Sequence, residues 1–136
     1  MRIDPVHPAG WKPARGYSNG MLVQGGGKLL FVAGQIAWNA DQELVAPGDF
    51  VGQFRQALDN VAAVVKEAGG WPEHVVRLTV YVVDKRAYVE RLKEIGAAYR
   101  DVMGRHYPAM ALVQVADLLE PGALVEIEAT AVLPER

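Results

Sequence analysis

Two segments share one apolar spacing, and that spacing restricts the possible folds more than any other feature. Phe54, Leu58, Val61, Val65 and Ala68 follow at intervals of 4, 3, 4 and 3 residues, as do Tyr88, Leu92, Ile95, Tyr99 and Val102. This rhythm lines one stripe of an α-helix. A helix with one apolar stripe must lay it against another element. Asp49 is the predicted N-cap of the first helix and Gly69-Gly70 its stop. The second is predicted over Arg86–Met103 and ends at Gly104. Between them, His74–Val83 is dominated by Val, Leu, Thr and Tyr. It reads as a strand, and its near-continuous apolar character predicts burial on both faces.

The remaining segments supply strands. Met21–Gln24 and Lys28–Ala33 flank Gly25-Gly26-Gly27, which predicts a β-hairpin that leaves the strand at Gly34. Met110–Ala116 is a further strand. In Ala123–Leu133, Val125, Ile127, Ala129, Ala131 and Leu133 alternate with Glu126, Glu128, Thr130 and Val132, the two-residue period of a strand. Residues 1–20, with three prolines, are predicted to be irregular. The order β-β-α-β-α-β-β describes a single α+β domain over residues 1–136. Both helices should lie on one sheet face, through right-handed crossovers. Nothing in the chain is left to cover the other face, so a homo-oligomer with those faces turned inward is expected.

Composition removes several function classes. The chain is 51% hydrophobic and 22% charged, too apolar for intrinsic disorder. Its net charge is -2, and its 14 basic residues form no run longer than Lys85-Arg86, which argues against a nucleic-acid partner. There are no cysteines, hence no disulfide, thiolate nucleophile or Cys-type zinc site. No apolar window is long enough to span a membrane, and Met1–Gly20 lacks the apolar run of a signal peptide, so a cytoplasmic protein is expected. His7, His74 and His106 have no metal-ligand spacing. No phosphate loop, dinucleotide fingerprint or Ser-His-Asp grouping occurs, and no metal or cofactor is expected.

Five pieces in register then resemble a known family. They are Val32-Ala33-Gly34-Gln35-Ile36, Gln56-Ala57-Leu58-Asp59-Asn60-Val61 with Ala68-Gly69-Gly70, Leu78-Thr79-Val80-Tyr81-Val82-Val83-Asp84, Tyr107-Pro108-Ala109, and Val125-Glu126-Ile127-Glu128-Ala129. From about Tyr17 to Leu133 the chain resembles the RidA/YjgF family of enamine/imine deaminases. The resemblance implies a chorismate-mutase-like α+β fold and a homotrimer with small-molecule clefts between subunits. It also implies cofactor-free hydrolysis of enamines and imines to carbonyl compounds and ammonia. Carried over residue by residue, it makes Glu126 the catalytic group and places Tyr17, Gly34 and Gln35 around the ligand.

Two positions depart from the family pattern. Tyr107-Pro108-Ala109 is followed by Met110 where the family has the Arg that grips the substrate carboxylate. Gly96, three residues before Tyr99, stands where many members carry Asn. A guanidinium holds a carboxylate through two parallel charge-assisted hydrogen bonds, and methionine offers none. An unpaired carboxylate in a cleft costs about 3 kcal/mol, over a hundredfold in binding. Met110 is therefore expected to be a pocket wall selecting a neutral or more apolar ligand, with Gln114 on the same strand face pointing into the same cavity. Two readings follow: a deaminase with altered substrate preference, or a binding or regulatory protein that keeps the cleft without the chemistry. Glu128 is expected to be structural, and Trp38 to cap or be buried beside the Gly34 turn.

Overall fold

The computed structural model describes residues 1–135; residue 136, the last of the expected domain, lies outside the described residues. The first apolar stripe forms α1, Phe50–Glu67. Asp49 caps it, its Oδ1 accepting from the Gly52 N–H at 3.0 Å. Phe54, Leu58, Val61 and Val65 are buried, together with Phe50 and Ala57. Ala68 is the exposed C-cap, so the stripe stops one turn earlier than its spacing suggests. Truncating Leu58, which is fully buried, would cost about 3 kcal/mol through lost burial and the cavity left behind.

The sheet beneath α1 has four strands: β3 (Lys28–Gln35), β4 (Val75–Val82), β5 (Ala109–Gln114) and β6 (Val125–Leu133). Their spatial order is β3-β6-β4-β5. β4 and β5 run parallel, and β6 is antiparallel to both β3 and β4. The second helical segment follows β4, and its main helix packs on α1, so the helices share one face as expected. Val125, Ile127, Ala129, Ala131 and Leu133 of β6 turn towards them and are buried.

Four departures from the sequence reading concern the arrangement of strands and helices. Residues 1–20 are not wholly irregular: Arg2–Val6 forms β1, paired antiparallel with β2 (Gly20–Gln24). The hairpin around Gly25-Gly26-Gly27 is absent, because β2 pairs with β1 in a separate two-stranded ribbon and β3 pairs with β6. The glycines still turn the chain, at φ 87, 81 and 148, and Gly27 has a second reason to lack a side chain: a Cβ there would lie 2.6 Å from Val132 Cγ1, so this backbone passes close over β6. The second helix is broken into α2 (Lys85–Val89) and α3 (Leu92–Met103), with Arg91 between them at φ -129 and ψ 33, outside helical values. Finally, β4 is buried on one face only. Leu78, Val80 and Val82 enter the core, whereas Arg77 is exposed and Thr79 and Tyr81 are half-buried on the other side. That open face also carries Leu29, Phe31 and Val113, which are 60%, 75% and 43% exposed, and it is the surface expected to meet another copy.

Candidate functional site

The expected site residues fall on opposite sides of the sheet. Glu126 is paired with Tyr81 across β4, and Met110 is paired with Leu78 across the same strand. Tyr81 and Leu78 are three residues apart, so their side chains point to opposite faces. Glu126 therefore lies on the open face and Met110 on the helix face.

On the open face, Glu126 is seated against Gly34. Between Val32 and Gln35 the β3–β6 register shifts, so Ala33 and Gly34 together face Glu128 of β6. This is a β-bulge, which takes a peptide out of the ladder and bends the strand. β3 thus continues through Gly34 to Gln35, two residues beyond the predicted strand end. A Cβ on Gly34 would lie 2.8 Å from Glu126 Cδ, and its Oε2 would be nearer still. The φ of Gly34 is not positive, so the glycine is needed for space and not for backbone conformation. Gln35 donates from Nε2 to the Ala33 carbonyl at 3.1 Å and holds the bulge. Next to Glu126, Glu128 accepts a 3.0 Å hydrogen bond from the Tyr81 hydroxyl. That bond raises the Tyr81 pKa; partial burial and the charges of Glu128 and Glu126 add to it, and Arg77 opposes it. Glu128 and Arg77 line a shallow depression of about 190 Å3 with Phe31 and Thr79.

On the helix face, Met110 lines a cavity of about 280 Å3 with Tyr88, Leu92, Ile95, Gly96 and Tyr107. Tyr99 is stacked on Tyr107, with ring centroids 5.2 Å apart and planes 8° apart. Its hydroxyl donates to the His106 carbonyl at 2.5 Å. Burial pushes the Tyr99 phenol well above its ordinary pKa, with a small further push from Tyr107. Gln114 shares the Met110 face but does not line this cavity. Its Oε1 accepts from the Lys85 N–H at 2.9 Å, at the start of α2.

Tyr17 sits beyond the cavity's edge, 42% exposed, in a larger cleft of about 790 Å3 shared with Glu73, His74, Arg105 and Tyr107. Its neighbour Ser18 fixes it: the Ser18 N–H donates to the Pro108 carbonyl at 3.0 Å, and the Ser18 hydroxyl donates to the Tyr107 carbonyl. Trp38 has its indole nitrogen buried without a partner, while its carbonyl accepts from Asn60 Nδ2 at 2.9 Å. The three histidines each bind backbone or local side chains: His7 to Trp11 O and Asn19, His74 to the Trp71 N–H, His106 to Val75 O. Among the described residues no three His, Asp or Glu converge. No described helix is long and apolar enough to cross a membrane.

Sequence reasoning missed Arg100. It lines the Met110 cavity, and its Nη1 would lie 3.2 Å from a Cβ on Gly96. The signal was present, since Gly96 and Arg100 are four residues apart on one helix, neighbouring positions on its surface.

Comparison with known proteins agrees with this architecture. The family model described as Endoribonuclease L-PSP matches residues 9–133. A RutC family protein of Pyrococcus abyssi is 32% identical over 120 residues, covering 88% of this chain and 88% of its own. The 2-iminobutanoate/2-iminopropanoate deaminase of Capra hircus is 32% identical over 116 residues, covering 85% of this chain and 79% of its own. The Yersinia pestis protein YyfB, described as a protein of unknown function of the conserved Rid family, superimposes with a TM-score of 0.83 at 35% identity. That match covers 98% of this chain and all of YyfB. With its α+β fold, its sheet order and these matches along nearly its whole length, the chain belongs to the RidA/YjgF family.

Proposed function

We propose that the protein works as a homo-oligomer, expected to be a trimer, that hydrolyses imines or enamines to carbonyl compounds and ammonia at clefts between subunits. One observation carries this reading: Glu126 with Gly34, and Met110 with Gly96, lie on opposite faces of one sheet. One chain alone does not bring these groups together. A neighbouring copy that also turns its open face inward would bring its edge strand β5, with the Met110 cavity behind it, beside Glu126. It would also cover Leu29, Phe31 and Val113, which are otherwise exposed. The name of the Capra hircus relative supports the reaction class.

The chemistry follows from a carboxylate beside a C=N bond. Glu126 holds a water and takes one of its protons as the oxygen adds to the imine carbon. The carboxyl group passes that proton to the imine nitrogen, giving a neutral carbinolamine; a second transfer through the same carboxylate, from the carbinolamine hydroxyl to nitrogen, lets ammonia leave as the C=O bond forms. The carbonyl forms and no redox partner is consumed. The bulge at Ala33–Gly34 seats the carboxylate against backbone, which restricts where its side chain can lie. RNA cleavage fits less well: the pI is about 5.9, and the open face sets Glu126 and Glu128 beside Arg77 with no basic stripe. The lack of cysteine agrees with a cytoplasmic setting.

The test couples an amino acid oxidase, which generates imines in place, to trapping by semicarbazide. The native protein should outrun the trap, and Glu126→Gln should lose about a hundredfold or more in rate. Sedimentation velocity should give about three times the 14.8 kDa chain mass. Met110 favours a second reading, a binding protein without turnover. A ligand that binds and leaves unchanged, with no effect of the protein on trapping, would establish it instead.

A further inference from the structure

The cavity beside Met110 carries a one-sided charge. Its walls are apolar and aromatic, including Val80, Ile95, Leu112 and the ring of Tyr107, and no carboxylate lies among its lining residues. Two cations do, Arg15 and Arg100. Among the described residues the ion pairs belong to Arg2, Arg55 and Arg86, so neither cavity cation is neutralised by a neighbour. Arg100 has a specific seat. Its side chain runs back along α3 towards the helix N-terminus, the usual direction for a long helical side chain, and comes to rest over Gly96. A Cβ at position 96 would come 3.2 Å from Nη1, so the glycine leaves the guanidinium room to lie there. The missing side chain at position 96 and the guanidinium at position 100 therefore form one arrangement.

We propose that Arg100, laid over Gly96, is the carboxylate-holding group of this cavity and takes over the task that Met110 has given up. The ligand class is then a small carboxylate with an apolar body: the anion lies at Arg100 and the body against Met110, Leu112 and Ile95. The inference rests on reading this cavity as half of the intersubunit site. A planar guanidinium supplies two parallel charge-assisted donors to a carboxylate. Arg100 is a specificity residue in this role, acting on binding and not on proton transfer.

Calorimetric titration of the assembled protein tests this with 2-oxobutanoate, and with 2-oxobutanamide as its uncharged counterpart. The native protein should bind the acid more tightly than the amide. Arg100→Gln should weaken acid binding by about tenfold or more and leave amide binding unchanged, with Arg100→Lys in between. Arg100 is exposed, so these variants should keep the native circular dichroism and Tm. Equal binding of acid and amide by the native protein overturns the proposal. So does undiminished binding by Arg100→Gln, or a loss confined to Arg15→Gln. Imine turnover measured on the same samples separates the two readings. Acid binding through Arg100 without turnover leaves this inference standing and removes the deaminase. Turnover with a KM unaffected by Arg100→Gln does the reverse.

Discussion

Adding one methyl group at residue 34 tests whether Glu126 acts from where the structure puts it. In Gly34→Ala the new Cβ would lie 2.8 Å from Glu126 Cδ and closer to Oε2, so one of them must move. The carboxylate is the end of a flexible, half-buried side chain, and turning it off its rotamer costs about 1 kcal/mol. For a domain of this size that lowers Tm by about 4 °C. Displacing a catalytic group by about 1 Å costs about a hundredfold in rate. The variant should therefore stay folded and lose most imine hydrolysis, a small stability effect joined to a large catalytic one. Differential scanning calorimetry and the semicarbazide competition measure the two. A double-mutant cycle sharpens the result: in a Glu126→Gln background the methyl group should have no further effect on rate. Hydrolysis within threefold of native in Gly34→Ala would refute the assignment of catalysis to Glu126. A fall in Tm beyond about 12 °C would show that the bulge, not the carboxylate, gave way.

Three further outcomes are expected. Gln53 is fully buried; it donates to the Ala46 and Gly122 carbonyls at 3.3 and 3.1 Å and accepts from the Leu124 N–H at 2.9 Å. Gln53→Leu strands all three groups and should cost about 3 kcal/mol, read as a Tm drop of about 10 °C; a drop under 3 °C would contradict it. The pKa of Tyr99 is raised by burial, so its contribution to stability is whole below the unfolded phenol value of about 10 and is lost as pH climbs towards the folded value. Tyr99→Phe should flatten the alkaline loss of stability seen in urea titrations between pH 9 and about 11; parallel native and variant curves would count against this. In an Arg100→Gln background, Met110→Arg gives the cavity a second guanidinium beside Arg15 and should raise kcat/KM for carboxylate-bearing imines about tenfold, whereas no gain would place the carboxylate elsewhere.

The helices and the sheet's alternation were legible because they are local. Leu58, Val61 and Val65 reach the core at the spacing that predicted them, and Glu126 and Glu128 share a face through strand geometry alone. Pairing was not legible, because it depends on strands far apart in sequence. Gly25-Gly26-Gly27 reads like a hairpin turn, and the chain does turn there at positive φ, yet β2 and β3 do not pair, and Gly27 is also held against Val132, 105 residues later. The break at Glu90–Arg91 carries no Gly or Pro to announce it. The site was legible residue by residue but not as an arrangement. That Glu126 and Met110 face opposite ways follows only from their registers against β4, and no periodicity within β5 or β6 contains that information.

The ribbon of β1 and β2 also divides the molecule energetically. Two strands alone are marginal in water, and this pair shares no ladder with the four-stranded sheet. Its ties to the domain include the two Ser18 hydrogen bonds to Tyr107 and Pro108 and a 3.2 Å bond from the Gly27 N–H to Glu135. Amide protons in β1 and β2 should exchange by local opening, far sooner than those of β4 and β6, which require global unfolding. Each opening takes Tyr17 with it while Glu126 stays in place. The time that Tyr17 spends at its cleft is thus governed by its own small equilibrium, which point changes at Ser18 would tune without touching the stability of the core.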